Sequence, residues 1–199
     1  RYGKLDATDE EVIAAAKAAQ VDHFIRTLPG GYQMQLNEEA TNVSQGQKQL
    51  LTIARAILSD ARIMILDEAT SGLDPIIRDD VLDMLIDFVQ DESHSVLVSS
   101  HITSDLEKIA DYITYIHQGR VVLSDSKDAI LEHYAKLGCT QAQLRDIRPG
   151  DLVRVRKGSF GCEALVRDRA AFARKYPGLM LDRVTLEDIM LLIGKGESA

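Results

Sequence analysis

From Gln45 to Leu58 the apolar residues Leu50, Leu51, Ile53, Ala54, Ile57 and Leu58 recur at helical spacing, which predicts an amphipathic helix with Ser44 before it as a cap. Two short apolar runs follow, "RIMIL" at 62–66 and "SVLVS" at 95–99, both of the kind expected for buried parallel strands. Between them, "PIIRDDVLDMLIDFVQ" sets Ile77, Val81, Leu85 and Phe88 on one stripe, with Pro75 at a tolerated helix start. Strand, helix, strand is the predicted order. Upstream, "TDEEVIAAAKAAQ" reads as a helix capped by Thr8, with acids in its first turn. Pro29, Gly30 and Gly31 then mark a turn, and "NEEATN" is a polar loop leading to Ser44. Downstream come a helix "SDLEKIADY" and two strands, "ITYIH" and "RVVLS", around Gly119. Beyond about residue 140, "DLVRVR", "RDRAAFARKY" and "TLEDIMLLI" predict a strand and two helices of a small α/β appendage.

Composition narrows the function classes. The 199 residues, 45% of them apolar, suffice for one domain and a small appendage. A net charge of −8 without any long basic run argues against a nucleic-acid partner, because phosphate neutralisation supplies most of such affinity. Residues 141–176 do carry nine Lys or Arg against four Asp or Glu, which fits an ordinary solvated face or a contact with lipid headgroups or a partner. Cys139 and Cys162 share no metal-ligand or redox spacing; they suit a reducing compartment and read as small buried or half-buried hydrophobes. No apolar run approaches the roughly 18 residues of a membrane helix, and no signal-peptide shape opens the chain. Any membrane connection is therefore expected through a partner or through further chain.

Three places carry candidate chemistry. "IMILDE" puts Asp67 at a strand tip and Glu68 at the start of the following loop, outside the carboxyl edge of a parallel sheet, where such sheets keep their ligands. There one acid can hold Mg²⁺ while its neighbour orients and deprotonates an attacking water. The helix opened by Ser44 presents unpaired N–H groups and a positive dipole end, and Gly46 permits a phosphate to approach. His101 stands just beyond "SVLVS", within reach of a terminal phosphate or the attacking water. Each has a plainer reading as a solvated acid pair, a helix cap and a loop residue.

The order and spacing of "VSQGQ", "IMILDEATSGLD" and "SSHITSDLE" resemble the ATP-binding cassette, the nucleotide-binding domain of ABC transporters, over nearly the whole chain. The resemblance implies an α/β fold with a P-loop NTPase-like (RecA-like) parallel sheet lacking its N-terminal part. A helical signature subdomain at 1–60, the Walker B to switch-histidine core at 61–138 and the appendage at 139–199 would make it up. "VSQGQ" stands where the family writes LSGGQ, departing at Val43 and Gln45, so Ser44, Gln45, Gly46 and Gln47 would face nucleotide in trans. Asp67 would attend to Mg²⁺, Glu68 would be the general base, His101 would read the γ-phosphate, and Asp74 of "SGLD" would cross a dimer interface. ATP and Mg²⁺ are the implied cofactors. A membrane-spanning permease and a second cassette are the implied partners, at the cytoplasmic face of a bacterial membrane.

One expected element is missing. The chain contains no G-x-x-x-x-G-K-[ST], and neither "YGKL" at 2–5 nor "IGKGES" near the end substitutes for it. Residue 1 is expected to enter the fold after its nucleotide-cradling part. Residues 1–70 resemble the exporter type, whereas 72–199 resemble stand-alone subunits of bacterial ABC-2-like transporters, with the change inside "LDEATSGLD". Such a change suggests a join, through recombination or an assembly error, with a single lineage of mixed features as the alternative. Three readings follow: an ABC transporter ATPase subunit with little activity alone, a non-catalytic partner lending its signature in trans, or a soluble ABC ATPase, disfavoured by the acidic balance.

Overall fold

The computed structural model describes residues 3–36, 43–159 and 161–197, so the loop expected at "NEEATN" lies outside the described residues. The chain forms two compact units, residues 1–105 and 106–199.

The first unit begins with α1 (Asp9–Ala18), whose N-terminus is closed by a reciprocal pair: Thr8 Oγ1 accepts from Glu11 N at 3.2 Å, and Glu11 Oε2 accepts from Thr8 N at 2.7 Å. A short helix not anticipated from the pattern, α2 (Asp22–Thr27), follows before the turn. Gly30 and Gly31 take φ of +92° and +53°, which an L side chain resists, and so turn the chain back. Tyr32 then donates to Asp22 at 2.6 Å, and its phenol is pushed up to about 12, first by burial and then by that bond. The predicted signature helix is α3 (Gln45–Leu58), with Leu50 and Ile53 fully buried.

Strands β1 (Ile63–Asp67) and β2 (Ser95–Ser99) pair in parallel, Ile63 opposite Ser95 and Asp67 opposite Ser99, with α4 (Pro75–Phe88) crossing between them in sequence. The expectation that both strands are buried holds for one face only. Alternation sends Met64 inward, 3% exposed, while Ile63, Ile65 and Leu97 remain 65%, 72% and 63% exposed. On α4 the buried stripe is wider than predicted, comprising Val81, Leu82, Met84 and Leu85. Phe88 instead stacks on His94 with centroids 4.4 Å apart. Helix α5 (Thr103–Ile109) carries the chain into the second unit.

There β3 (Tyr112–His117) and β4 (Arg120–Ser126) form a separate antiparallel hairpin rather than extending the parallel sheet. Then come α6 (Lys127–His133), β5 (Ala135–Cys139), α7 (Gln141–Arg145), β6 (Arg154–Lys157), β7 (Cys162–Val166), α8 (Arg169–Lys175), β8 (Leu181–Asp182) and α9 (Leu186–Lys195). The four later strands make one antiparallel sheet in the order β6-β7-β5-β8. The expected boundary between residues 138 and 139 falls inside β5. Two cores result: one gathers Leu137, Ala164, Val166 and Phe172, the other Ile130, Leu165, Leu186 and Ile189. Much of the basic excess is paired, as in Arg156 with Glu163 and Lys175 with Asp151. Among the described residues no helix is long and apolar enough to cross a membrane.

Candidate functional site

Parallel pairing of β1 with β2 brings two chain segments, distant in sequence, to one sheet edge. Asp67 closes β1 opposite Ser99, and the Ser99 hydroxyl donates to Asp67 Oδ1. One residue further, Glu68 N donates to Ser99 O at 3.0 Å. Glu68 itself has a φ of +49°, a left-handed conformation that costs an L residue roughly 1–2 kcal/mol. The surrounding bonds hold it there: Glu68 O accepts from Ser71 N at 3.0 Å and from Gln49 Nε2 at 2.9 Å. The carboxylate then lies 2.7 Å from His101 Nδ1. With Nδ1–H donating to the carboxylate, Nε2 is left for another group. A carboxylate and an imidazole at this distance can share and pass a proton, and both side chains are accessible, at 40% and 70% exposure.

The expected signature residues Ser44, Gln45, Gly46 and Gln47 are arranged around the start of α3. Ser44 Oγ accepts from Gln47 N at 3.2 Å, while Gln47 Oε1 accepts from Ser44 N at 2.8 Å. Both are thus held in a capping box, with Ser44 and Gln45 exposed. A Cβ added at Gly46 would come within 2.8 Å of Leu73 Cδ2, so glycine permits the loop after Glu68 to lie against this helix. Asp74 caps α4, accepting from Ile76 N and Ile77 N at 3.1 and 3.2 Å. The structure therefore joins Glu68 and His101 directly, sets Asp67 beside them at the same strand edge in contact with Ser99, and places Ser44, Gly46 and Asp74 at two neighbouring helix starts.

Sequence reasoning missed the residues that hold this loop. Gln49 ties α3 to the Glu68 carbonyl, and its own Oε1 is buried without a partner among the described residues. Asp105, 3% exposed, accepts from Thr70 Oγ1 at 2.6 Å and from Arg78 Nε at 2.7 Å, fixing the loop between Glu68 and α4. The sequence signal was the charge on a buried helix face, since Asp105 sits among the apolar positions of "SDLEKIADY".

The donor set suits the implied ion. Mg²⁺ binds through hard oxygen ligands, commonly one or two carboxylates completed by waters and phosphate oxygens. Asp67, with the Ser99 hydroxyl beside it, offers that chemistry. No cluster of three or more His, Cys, Asp or Glu with metal-binding geometry occurs among the described residues.

A parallel strand pair with acids at its carboxyl edge, a crossing helix and a histidine after the second strand make an α/β arrangement. The ABC transporter family profile matches residues 4–71. ABC transporter ATP-binding protein YfiC of Bacillus subtilis is 39% identical over 131 residues, which cover 66% of this chain and 21% of that protein. ATP-dependent lipid A-core flippase of Methylobacillus flagellatus is 43% identical over 140 residues, 68% of this chain and 24% of that one. Among solved structures, a bacterial Atm1-family ABC exporter with ATP bound superposes with a TM-score of 0.57 at 32% identity, covering 65% of this chain and 22% of that one. The chain carries ABC transporter ATP-binding-cassette sequence, and its likeness is to the exporter type. Because the superposition on the Atm1-family exporter covers 65% of the chain, the likeness extends well past Gly72. The chain spans about a fifth to a quarter of the length of these curated relatives.

Proposed function

We propose that this chain is part of an ATP-hydrolysing subunit that energises solute movement across a cell membrane from its cytoplasmic face. The observation that supports this best is the 2.7 Å contact between Glu68 and His101 beside Asp67, at the carboxyl edge of a parallel strand pair. In this reading Glu68 takes the proton of the attacking water, His101 orients Glu68 through Nδ1 and offers Nε2 to a phosphate, and Asp67 attends to Mg²⁺. Ser44, Gln45, Gly46 and Gln47 face the nucleotide of a second cassette, which Asp74 also reaches. The partners are that second cassette and a membrane-spanning permease; no nucleic acid is involved.

The 199 residues contain no G-x-x-x-x-G-K-[ST], the loop that supplies the main grip on phosphate. The isolated chain is therefore expected to bind MgATP poorly and to turn it over negligibly. Specific ATPase activity of the isolated chain that disappears in Glu68→Gln would overturn that expectation. Mixed with a P-loop-bearing exporter cassette, the chain is expected to raise ATP hydrolysis, and Ser44→Arg to abolish the increase. If Glu68→Gln leaves that increase intact, the chain acts as a signature donor only. If it removes about 10²- to 10⁴-fold of the rate, Glu68 is the general base.

A further inference from the structure

Cys139 and Cys162 have no suggestive spacing in sequence, yet the antiparallel register of β5 and β7 sets them directly opposite each other. Opposed residues of neighbouring antiparallel strands share one face of the sheet, with Cα atoms about 4.5–5.5 Å apart. That range lies within the roughly 4.4–6.8 Å that a disulfide requires. Both thiols are free and buried, Cys139 at 9% and Cys162 at 2% exposure. They line one cavity of about 440 Å³ together with Gly138, Gly158 and Gly161, which gives a small reagent a way in.

We propose that Cys139 and Cys162 form a dithiol that a low-molecular-weight disulfide oxidises to a cross-strand disulfide between β5 and β7. Cys139, the more exposed thiol, attacks one sulfur of the reagent and releases one small thiol, which takes up the proton that Cys139 gave. Cys162 then attacks the Cys139 sulfur of this mixed disulfide and releases the second small thiol. The protein loses two hydrogens and the reagent gains them, so no further reactant is needed. The product is neutral and apolar, as a buried site favours. Burial, with Cys162 adjacent, pushes the Cys139 thiol up, so exchange is slow at neutral pH and quickens as pH rises.

The test needs no nucleotide and stands apart from the ATPase reading. The intact, reduced chain is incubated natively with oxidised glutathione at mildly alkaline pH, alkylated and weighed. The expected product is lighter than the reduced protein by two hydrogens, resists alkylation and yields a proteolytic peptide pair joining Cys139 to Cys162. Cys162→Ser is expected to stop at glutathione on Cys139 or to stay reduced. The proposal is overturned if both wild-type thiols remain alkylatable, if glutathione stays on either cysteine, if the bond forms between two chains, or if it forms only after unfolding in guanidinium.

Discussion

Asp105 shows how a single buried charge can organise a loop. Its carboxylate, 3% exposed, is balanced by Arg78 on α4 and by the Thr70 hydroxyl in the loop after Glu68. Removing the cation leaves a buried carboxylate without its partner, which costs about 3–5 kcal/mol; Arg78 is itself partly exposed, so the lower end applies. Arg78→Met is therefore expected to lower unfolding free energy by about 3 kcal/mol, and the double variant Arg78→Met/Asp105→Asn to recover most of it. Urea unfolding of wild type, both single variants and the double variant measures the coupling. A loss below about 1 kcal/mol in Arg78→Met would show that water, not Arg78, compensates the charge. At this scale the sequence exposed the candidate site side chains but not their supports. The placement of Asp67, Glu68 and His101 at the ends of β1 and β2 was legible because each closes or closely follows a short apolar run. Ser99, Gln49 and the Thr70–Asp105–Arg78 group were not, since each finds its partner only once β1, β2 and α3 are assembled.

Among the elements, α3 and α4 were visible because each sustains its period for 14 residues. β5 ("AKLGC") and β7 ("CEALV") were not, because a lysine, a glycine and a glutamate interrupt five-residue runs that only sheet pairing completes. The same lysine joins two elements of the second unit. Lys136 Nζ on β5 donates to Asp188 Oδ1 at 2.7 Å, and Asp188 also closes the capping box of α9 with Thr185. Burial works to raise the Asp188 carboxyl, but hydrogen bonds from Lys136 and Thr185 hold it below its ordinary value of 3.8. A folded-state value below the unfolded one means that the stabilisation is present above about pH 3.8 and lost as pH falls through the lower, folded value. Lys136 has the opposite sign: its bond to Asp188 raises it above 10.5, so its contribution is complete below that pH and fades at higher pH. Asp188→Asn is thus expected to cost about 1 kcal/mol or somewhat more at neutral pH. The gap in thermal midpoint from wild type should narrow on acidification below pH 3.8. A gap that stays constant into strong acid would mean that the cap geometry matters and the charge does not.

For the whole chain, the net charge of −8 conceals a division. The first unit holds 18 acidic against 8 basic residues, the second 13 against 15. The strongly acidic unit is also the one whose parallel strands leave Ile63, Ile65 and Leu97 exposed, although parallel strands ordinarily have both faces covered. An apolar sheet face with unpaired strand edges favours contact between copies, whereas the like charge of the same unit opposes it. Salt decides between them. The screening length falls from about 10 Å at 0.1 M to about 3 Å at 1 M, which removes the repulsion between copies while leaving the apolar attraction in place. The 199-residue chain is therefore expected to be largely monomeric at low ionic strength and to self-associate as salt is raised. Sedimentation velocity across a salt series measures this directly. Ile65→Lys combined with Leu97→Lys places two cations on that face and should hold the chain monomeric in high salt, with a native far-ultraviolet spectrum confirming that the fold is kept. Association that weakens with salt would point to attraction between the acidic first unit and the mildly basic second one, and in that case the lysine substitutions should leave it unchanged.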